Sequence, residues 1–250
     1  MTYEYPFNET VRSLLRLEYL FRRFELYLNS DEPEHHLTAV TLLFDLAEVT
    51  SRADLKLNVL KELERQKNLL FSLRSDSSIN QAALDKTIFE IEACWQDVNQ
   101  IVGKPNTVTN ESDWLNSIRS RINVPGGTSP VDLPSFYNWQ QLPAEVRKNQ
   151  LLGYTTALVP WKAACHLFLQ ILRQAGEPRP MVAPAGSYQQ MLSGRTYQLL
   201  RVNILDQVDL IPEISANKHM LWIRFLHAED NGKPRPATMD VRFNLTLCNL

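Results

Sequence analysis

The sequence predicts an α+β protein in which an N-terminal helical domain precedes a C-terminal antiparallel β domain. Before residue 119, apolar residues recur mostly at the spacing of a helix. The stretch 119–134 interrupts this pattern, because Pro125 removes a backbone donor and Gly126 opens backbone angles that other residues avoid. After residue 197, apolar and polar residues alternate with the period of two that is typical of strands.

The helical part begins with a segment from Thr10 to Leu28, for which Asn8 is a good N-cap. A second helix is predicted from about 34 to 49. Two long charged helices, at 55–75 and 80–102, follow and are joined by a short polar turn. This spacing predicts an antiparallel helical hairpin within a bundle.

One more helical block is predicted at 143–175, and Pro160 is expected to kink or divide it. The residues 176–186, rich in proline and glycine, form the clearest linker of the chain. Strands are then predicted at 197–205, 218–228 and 238–247. A turn at 229–234, centred on an Asn-Gly pair, gives a hairpin signal between the last two.

These elements predict two domains. The first, at 8–176, is mainly helical and contains the interruption at 119–134 as a seam. The second, at 177–250, is an antiparallel β domain. The strand-like segment 2–7 and the extended segment 131–134 are candidates to join the β domain, because both are typical of extended chain.

Composition excludes several classes of protein. The chain has 250 residues, 44% of them hydrophobic, and a formal net charge of -2, which gives no reason to expect a nucleic-acid partner. Three widely separated cysteines, Cys94, Cys165 and Cys248, argue against a disulfide framework or a zinc site and are typical of a reducing cytosol. We see neither a signal peptide nor an apolar run long enough to span a membrane. We therefore expect a cytoplasmic protein.

The search for catalytic and metal motifs is negative. No phosphate-binding loop or nucleophile elbow is present, and the single Glu-x-x-His spacing, at 32–35, is too little for a di-iron site. His35 and His36 are interpreted as solvated residues, and His166 and Cys165 as core residues rather than a ligand and a nucleophile. We therefore expect no enzyme activity, no metal and no cofactor.

The strands carry a more informative pattern of basic and aromatic residues. On the polar side of three predicted strands lie Arg201, Lys218, Trp222, Arg224 and Arg242. If these strands are neighbours in one sheet, the side chains form a basic face that includes an aromatic ring, suited to an acidic or mixed-charge peptide. Arg119 and Arg121 could extend this face, and Arg52 is a weaker candidate. The alternatives are a merely solvated sheet face and a nucleic-acid surface.

Six segments, in order along most of the chain, form a recognisable set: Arg12–Leu20, Leu60–Gln66, Arg119–Gly127, Val131–Pro134 (Val-Asp-Leu-Pro), Ile211–Lys218 and Ile223–Phe225. Together they closely resemble the bacterial cell-division factor ZapD family. No single segment is diagnostic, but the ordered set is specific.

The resemblance implies a helical domain joined to a β domain in a homodimer. It also implies a non-enzymatic factor at the mid-cell division site, which binds the C-terminal tail of the tubulin-like protein FtsZ and cross-links its filaments. The eight residues named above are the candidate tail contacts. The alternative hypothesis is a dimeric helical scaffold that binds another acidic peptide, or nucleic acid, through the same basic face.

Overall fold

A computed structural model describes residues 1–205, 209–228 and 232–249 of the chain. Helices occupy most of the N-terminal part, and antiparallel strands in two sheets occupy most of the C-terminal part. The predicted α+β fold class is confirmed. The predicted turn at 229–234 falls partly on residues 229–231, which lie outside the described residues.

The chain divides into two compact units. The β unit comprises Met1–Arg12 and Leu169–Leu250, and the helical unit comprises Ser13–Phe168. The N-terminal strand falls in the β unit, where it pairs with a C-terminal strand. Residues 131–134, in contrast, form turns and the start of a helix in the helical unit, since Pro134 occupies the first helical turn, where its missing N–H costs nothing.

Short and long helices with buried apolar stripes build the helical unit, while residues 9–12 of the first helix and 169–174 of the last fall in the β unit. The described helices are α1 (Glu9–Leu28), α2 (Pro33–Thr50), α3 (Ala53–Ser72), α4 (Gln81–Gln100), α5 (Thr107–Glu111), α6 (Asp113–Arg121), α7 (Pro134–Gln140), α8 (Ala144–Gly153) and α9 (Val159–Gln174). The predicted hairpin is confirmed, because α3 and α4 pack against each other. Pro160 divides the block at 143–175 as predicted, and it lies in the first turn of α9.

The β unit contains two antiparallel sheets. The strands are β1 (Thr2–Pro6), β2 (Arg179–Ala183), β3 (Ser187–Met191), β4 (Leu199–Ile204), β5 (Leu210–Ala216), β6 (Met220–His227), β7 (Arg235–Pro236) and β8 (Val241–Cys248). The first sheet has the order β1-β4-β8-β2, and the second has the order β3-β6-β5, with β7 also paired to β6. The predicted linker at 176–186 is in part wrong, because it contains β2. Pro180 is tolerated there because β2 is an edge strand.

The two sheets share one hydrophobic core. Val202 and Phe243 of the first sheet and Ile223 and Phe225 of the second belong to the same buried cluster. The rings of Phe225 and Phe243 lie 5.1 Å apart between their centroids. The β unit is therefore a small sandwich, in which alternate side chains point into the core and the others point away from it.

A buried polar cluster in the helical unit corrects one prediction. His36, expected to be solvated, is 0% exposed. Its Nδ1 accepts a hydrogen bond of 2.9 Å from Arg147 Nε, and its Nε2 lies 3.2 Å from the carbonyl oxygen of Leu28. Because arginine can only donate, the imidazole is neutral and carries its proton on Nε2. Arg147 also donates to the backbone carbonyls of Gln140, Leu142 and Asp31.

This cluster makes stability depend on pH. Burial, the largest cause, lowers the pKa of His36 below its ordinary value of 6.5, although the hydrogen bond to Leu28 opposes the shift. The folded chain therefore binds this proton less tightly than the unfolded chain. The free energy of unfolding should be unaffected by this group above pH ~6.5 and should fall below it, by at most about 1.4 kcal/mol per pH unit.

The test is chemical denaturation between pH 7.5 and pH 5.5, both roughly one unit from the ordinary histidine value. His36→Gln should flatten the dependence, since glutamine does not titrate in this window. His35→Gln, at the exposed neighbouring position, is the matched control and should keep the wild-type slope. Equal slopes in all three proteins would contradict the assignment.

Gln66 of α3 generates a second prediction. Its side chain is 0% exposed, and neither its Nε2 nor its Oε1 has a hydrogen-bond partner among the described residues. A buried amide without partners costs about 1–3 kcal/mol. Gln66→Met, which keeps the size and removes the polar atoms, should therefore raise the free energy of unfolding by about 1–2 kcal/mol. Urea denaturation measures this. Gln96→Met, at an exposed position of α4, is the control and should change stability by less than about 0.5 kcal/mol.

Candidate partner-binding surface

The eight predicted contact residues are distributed over both units. Arg201 lies on β4, Arg242 on β8, Trp222 and Arg224 on β6, and Lys218 in the turn between β5 and β6. The remaining three belong to the helical unit: Arg52 immediately precedes α3, and Arg119 and Arg121 lie in the last turn of α6.

A single basic face on three neighbouring strands is not formed. The strands β4 and β8 are neighbours in the first sheet, but β6 belongs to the second. Because the inner faces of both sheets share one core, Arg201 and Arg242 point away from that core on one side of the sandwich and Arg224 on the other. The predicted face required the three strands to be neighbours in one sheet, and they are not. Strand order is set by pairing between distant segments, which residue alternation does not reveal.

Arg201 is engaged in an ion-pair cluster within the β unit. Glu4 of β1 lies opposite Arg201 in the register, and its Oε1 is 3.1 Å from Arg201 Nε, although the two are not aligned for a hydrogen bond. Arg173 holds the same carboxylate in a bidentate pair, with Nε–Oε1 and Nη2–Oε2 distances of 2.8 and 2.7 Å. Glu4 thus offsets one of the two arginine charges and ties β1 to its neighbours.

Arg242 is exposed at the other end of the first sheet. It lies opposite Val182 of β2, four residues along β8 from Thr246, the partner of Arg201 in the register. The spacing of strands places the two arginine backbones about 14 Å apart. Arg242 and Arg201 therefore share a face of the sheet but do not contact each other.

Trp222 and Arg224 form the one pair of predicted residues that the structure brings together. They are two positions apart on β6 and point to the same side, whereas Leu221, Ile223 and Phe225 between and beside them are buried. Trp222 is 37% exposed and lies between Gln189 of β3 and Ser215 of β5.

Arg224 is also flanked by both neighbouring strands. Ser187 lies on one side and Glu213 on the other, and Arg224 Nη1 is 3.8 Å from Glu213 Oε2. Both side chains of this ion pair are mostly exposed, so the pair is weak and leaves the guanidinium accessible. Lys218 adds a second exposed cation in the turn that precedes β6.

Apolar side chains that the sequence analysis did not select complete this surface. Met191 of β3 is opposite Met220 of β6, and Ile211 of β5 is opposite Leu226. Met191 and Ile211 are exposed. We call the outward side of the second sheet the Trp222 face, comprising Ser187, Gln189, Met191, Ile211, Glu213, Ser215, Met220, Trp222, Arg224 and Leu226. The alternation within β3 and β5 was the signal available in the sequence, but these strands were not predicted there.

The arginines of the helical unit are held by local partners. Arg119 donates to Asn110 Oδ1 at 2.7 Å and to Thr109 Oγ1 at 3.1 Å, and its guanidinium carbon lies 4.4 Å from the ring centroid of Phe44. These contacts join α5 and α6 to α2, so Arg119 has a structural role. Arg121 is exposed, with its Nη1 3.8 Å from Asp132 Oδ1, and Arg52 is exposed and pairs with Asp54 at 3.1 Å.

The groups that could support catalysis or metal binding are dispersed. In the part of the chain that the structure describes, no three His, Cys, Asp or Glu side chains are grouped so as to hold a metal ion. Burial raises the pKa of the Cys248 thiol to about 11, which keeps it protonated and unreactive at neutral pH. Cys165 is buried as predicted, but His166 is exposed and the prediction of a core histidine is wrong. It falls on the outward side of α9.

Within the described residues, none of the helices combines the length and apolarity needed to cross a lipid bilayer. The fold and the Trp222 face together define a two-unit α+β protein whose candidate site is an open sheet surface rather than an enclosed catalytic pocket.

Comparison with protein families gives this class a name. The family described as ZapD, cell division protein, matches residues 15–224. The match covers well over half of the 250 residues, so the chain belongs to the ZapD cell division protein family. It includes every candidate contact residue except Arg242.

The ion pairs predict different roles for the two arginines of the first sheet. Arg201→Gln should lower the free energy of unfolding by about 1 kcal/mol, because the partly buried Glu4 loses one of two cationic neighbours and solvent screens the remainder. Arg242→Gln, on the same face but exposed, should change stability by less than about 0.5 kcal/mol. Urea denaturation of both variants measures the difference. A loss of equal size in both would show that the Glu4 cluster has no special role.

Proposed function

We propose that the chain is a non-enzymatic cell-division factor that binds the C-terminal tail of FtsZ and, as a homodimer, cross-links FtsZ filaments. Its place of action is the cytoplasm at the mid-cell division site, where filament bundling stabilises the Z-ring. Membership of the ZapD cell division protein family supports a role in division, and the resemblance noted in the sequence supplies the partner.

The Trp222 face is the observation that carries the proposal of tail binding. Tryptophan and arginine are the side chains that most often dominate the energy of protein interfaces, and here both are exposed on one side of a strand that is paired along both edges. Arg224 and Lys218 can attract acidic groups of a peptide, while Trp222, Met191 and Ile211 offer apolar contact. A peptide that is charged and partly apolar matches both properties.

The chemistry of this face favours a peptide over nucleic acid. Nucleic acid binding depends on a continuous array of cations that neutralises phosphates. The arginines of the first and second sheets point to opposite sides, and Glu213 adds a negative charge beside Arg224. The alternative hypothesis of a nucleic-acid surface required all these arginines on a single sheet face, and they do not share one.

Bundling requires two tail sites in one particle. In a homodimer the second site binds a filament already held nearby, so the effective concentration is high and modest affinity at each site is sufficient. Within a bundle, many such bridges act together. Each tail contact can therefore be weak if it is exposed and repeated, and an open sheet face can provide such a contact.

Co-sedimentation with polymerised FtsZ tests this function. The protein should sediment with intact filaments and not with filaments that lack the C-terminal tail, and light scattering should report bundles only with the former. Binding should weaken as the salt concentration rises, since exposed charges are screened. Sedimentation with both kinds of filament, or with neither, would contradict tail binding.

Substitution on the Trp222 face should separate it from the other candidates. Trp222→Ala and Arg224→Glu are each expected to weaken filament binding at least tenfold, a loss typical of interface residues that carry much of the energy. Arg242→Glu makes the same charge change on the opposite side of the sandwich and is the matched control. It should change binding less than about twofold. The reverse ranking would move the tail site to the first sheet.

A further inference from the structure

We infer that the helical unit contains a binding site for a primary ammonium group on a short alkyl chain, in an open cavity between the start of α2 and the end of α7. This Gln140 cavity has a volume of about 400 Å³, and its lining includes Pro33, Glu34, Pro130, Tyr137, Gln140 and Gln141. The volume is within the roughly 300–1,000 Å³ that is usual for small-molecule sites. The cavity shares no residue with the Trp222 face, and its test does not involve FtsZ, so the two proposals succeed or fail separately.

A buried glutamine with an unused acceptor is the first observation. Gln140 is only 7% exposed, and its Nε2 donates to Glu34 Oε1 at 3.0 Å. Its Oε1 accepts no hydrogen bond among the described residues, yet that atom remains open to solvent, unlike the enclosed amide of Gln66. Because Gln140 lines the cavity, its open Oε1 is an acceptor that a molecule bound there can use.

The position of this amide is fixed from both sides. The backbone carbonyl of Gln140 accepts a hydrogen bond of 2.9 Å from Nη1 of Arg147, which belongs to the buried His36 cluster. Since a carboxylate can only accept, the Nε2 of the amide faces Glu34 and the Oε1 faces away from it. An acceptor that is held in place before binding loses little freedom when a ligand arrives, which favours affinity.

The charge of the lining selects a cation. Glu34 alone is charged among the described lining residues, and no described cation lies within ion-pair distance of it. Lys148 of α8 does not supply one, because it pairs with Asp31 and Glu145 at 2.8 and 3.1 Å. An anion in the cavity would therefore meet an unbalanced carboxylate.

An ammonium group satisfies both acceptors at once. Glu34 and Gln140 are hydrogen-bonded to each other, so their unused oxygens are neighbours, and an ammonium group has three donors to share between them. Hydrogen bonds between an ammonium and a carboxylate are among the strong ones, because both partners are charged. A metal ion fits less well, since calcium takes six to eight oxygen ligands and no group of acidic side chains in the described ranges could hold one.

The rest of the lining selects a short alkyl chain. Pro33 and Pro130 present apolar rings at the cavity. The ring of Tyr137, which is 47% exposed, attracts a cation over its face and also packs against methylene groups. The ligand is thus an alkylammonium, either a free amine or the side chain of a lysine in a polypeptide.

Nuclear magnetic resonance of the side-chain amide groups tests the site on the intact protein. In an amide correlation spectrum, the pair of Gln140 NH₂ signals is identified by its loss in Gln140→Met. Titration with butylamine at neutral pH should move this pair, with a dissociation constant in the low-millimolar range. The NH₂ signals of Gln66, which is enclosed in the helical hairpin, should stay in place.

A matched pair of variants tests the carboxylate. Glu34→Gln keeps the size of the side chain and removes its charge, so it should weaken butylamine binding at least about tenfold. Glu32→Gln makes the same change two positions earlier, outside the lining, and should leave the affinity within about twofold. Both positions are exposed, so both variants should fold. Equal losses in the two variants, or none in Glu34→Gln, would overturn the site.

A third variant tests the amide. Gln140→Met keeps the size and removes the acceptor, so butylamine, followed by the backbone amide signal of Tyr137, should bind about three- to tenfold more weakly. Urea denaturation first establishes that this variant is folded. A folded Gln140→Met protein with unchanged affinity would overturn the role of the glutamine.

Further probes separate the ligand classes. Butanol and butanoate should not move the Gln140 signals, and a shift with butanol equal to that with butylamine would overturn the ammonium assignment. Nα-acetyl-lysine amide carries the same ammonium group on the side chain of a blocked amino acid. Tighter binding of this compound than of butylamine identifies a polypeptide as the source of the group, and the reverse identifies a free amine. Failure of both amines to move the Gln140 signals would overturn the proposal.

Discussion

The β unit depends on the packing of Phe225 against Phe243 in the core between its two sheets. Side chains alternate along a strand, so the inward position of these two rings fixes the outward position of their neighbours, Arg224 and Arg242. Because the rings come from different sheets, the two arginines point to opposite sides of the sandwich. This hydrophobic contact thus places a mixed aromatic and charged face on one side of the sandwich. Arg242 lies on the other side together with Arg201, which is engaged by Glu4.

The sequence predicted the fold class and the longer elements because those signals are local. The alternation in β8 and the paired stripes of α3 and α4 are read within single segments, and both elements are present. Strand order is different, since it depends on which distant segments pair. β1 joins the first sheet next to β4 from the other end of the chain. β2 was missed because proline weakens the strand pattern, although an edge position tolerates it.

Prediction of the candidate site from the sequence was limited in the same way. Alternation correctly indicated that Trp222, Arg224 and Arg242 face outward, but it did not reveal which of them are neighbours. Nor did it reveal that Arg119 is occupied by Asn110, Thr109 and Phe44. The sequence shows that an arginine is charged but not which residue pairs with it in the fold. The partner decides whether that charge stabilises the fold or remains accessible to another molecule.

Buried polar groups in the helical unit also differ according to whether they have hydrogen-bond partners. His36 and Arg147 are buried, but each is hydrogen-bonded, so this cluster orders the fold and leaves nothing for a ligand to satisfy. Gln66 lacks partners inside the helical hairpin and is best explained as a cost to stability. Trp161 Nε1 also lacks a partner among the described residues, and the side chain is 1% exposed, so it is explained in the same way. Partners therefore decide what a buried polar group does: with hydrogen-bond partners it orders the fold, and without them it lowers stability.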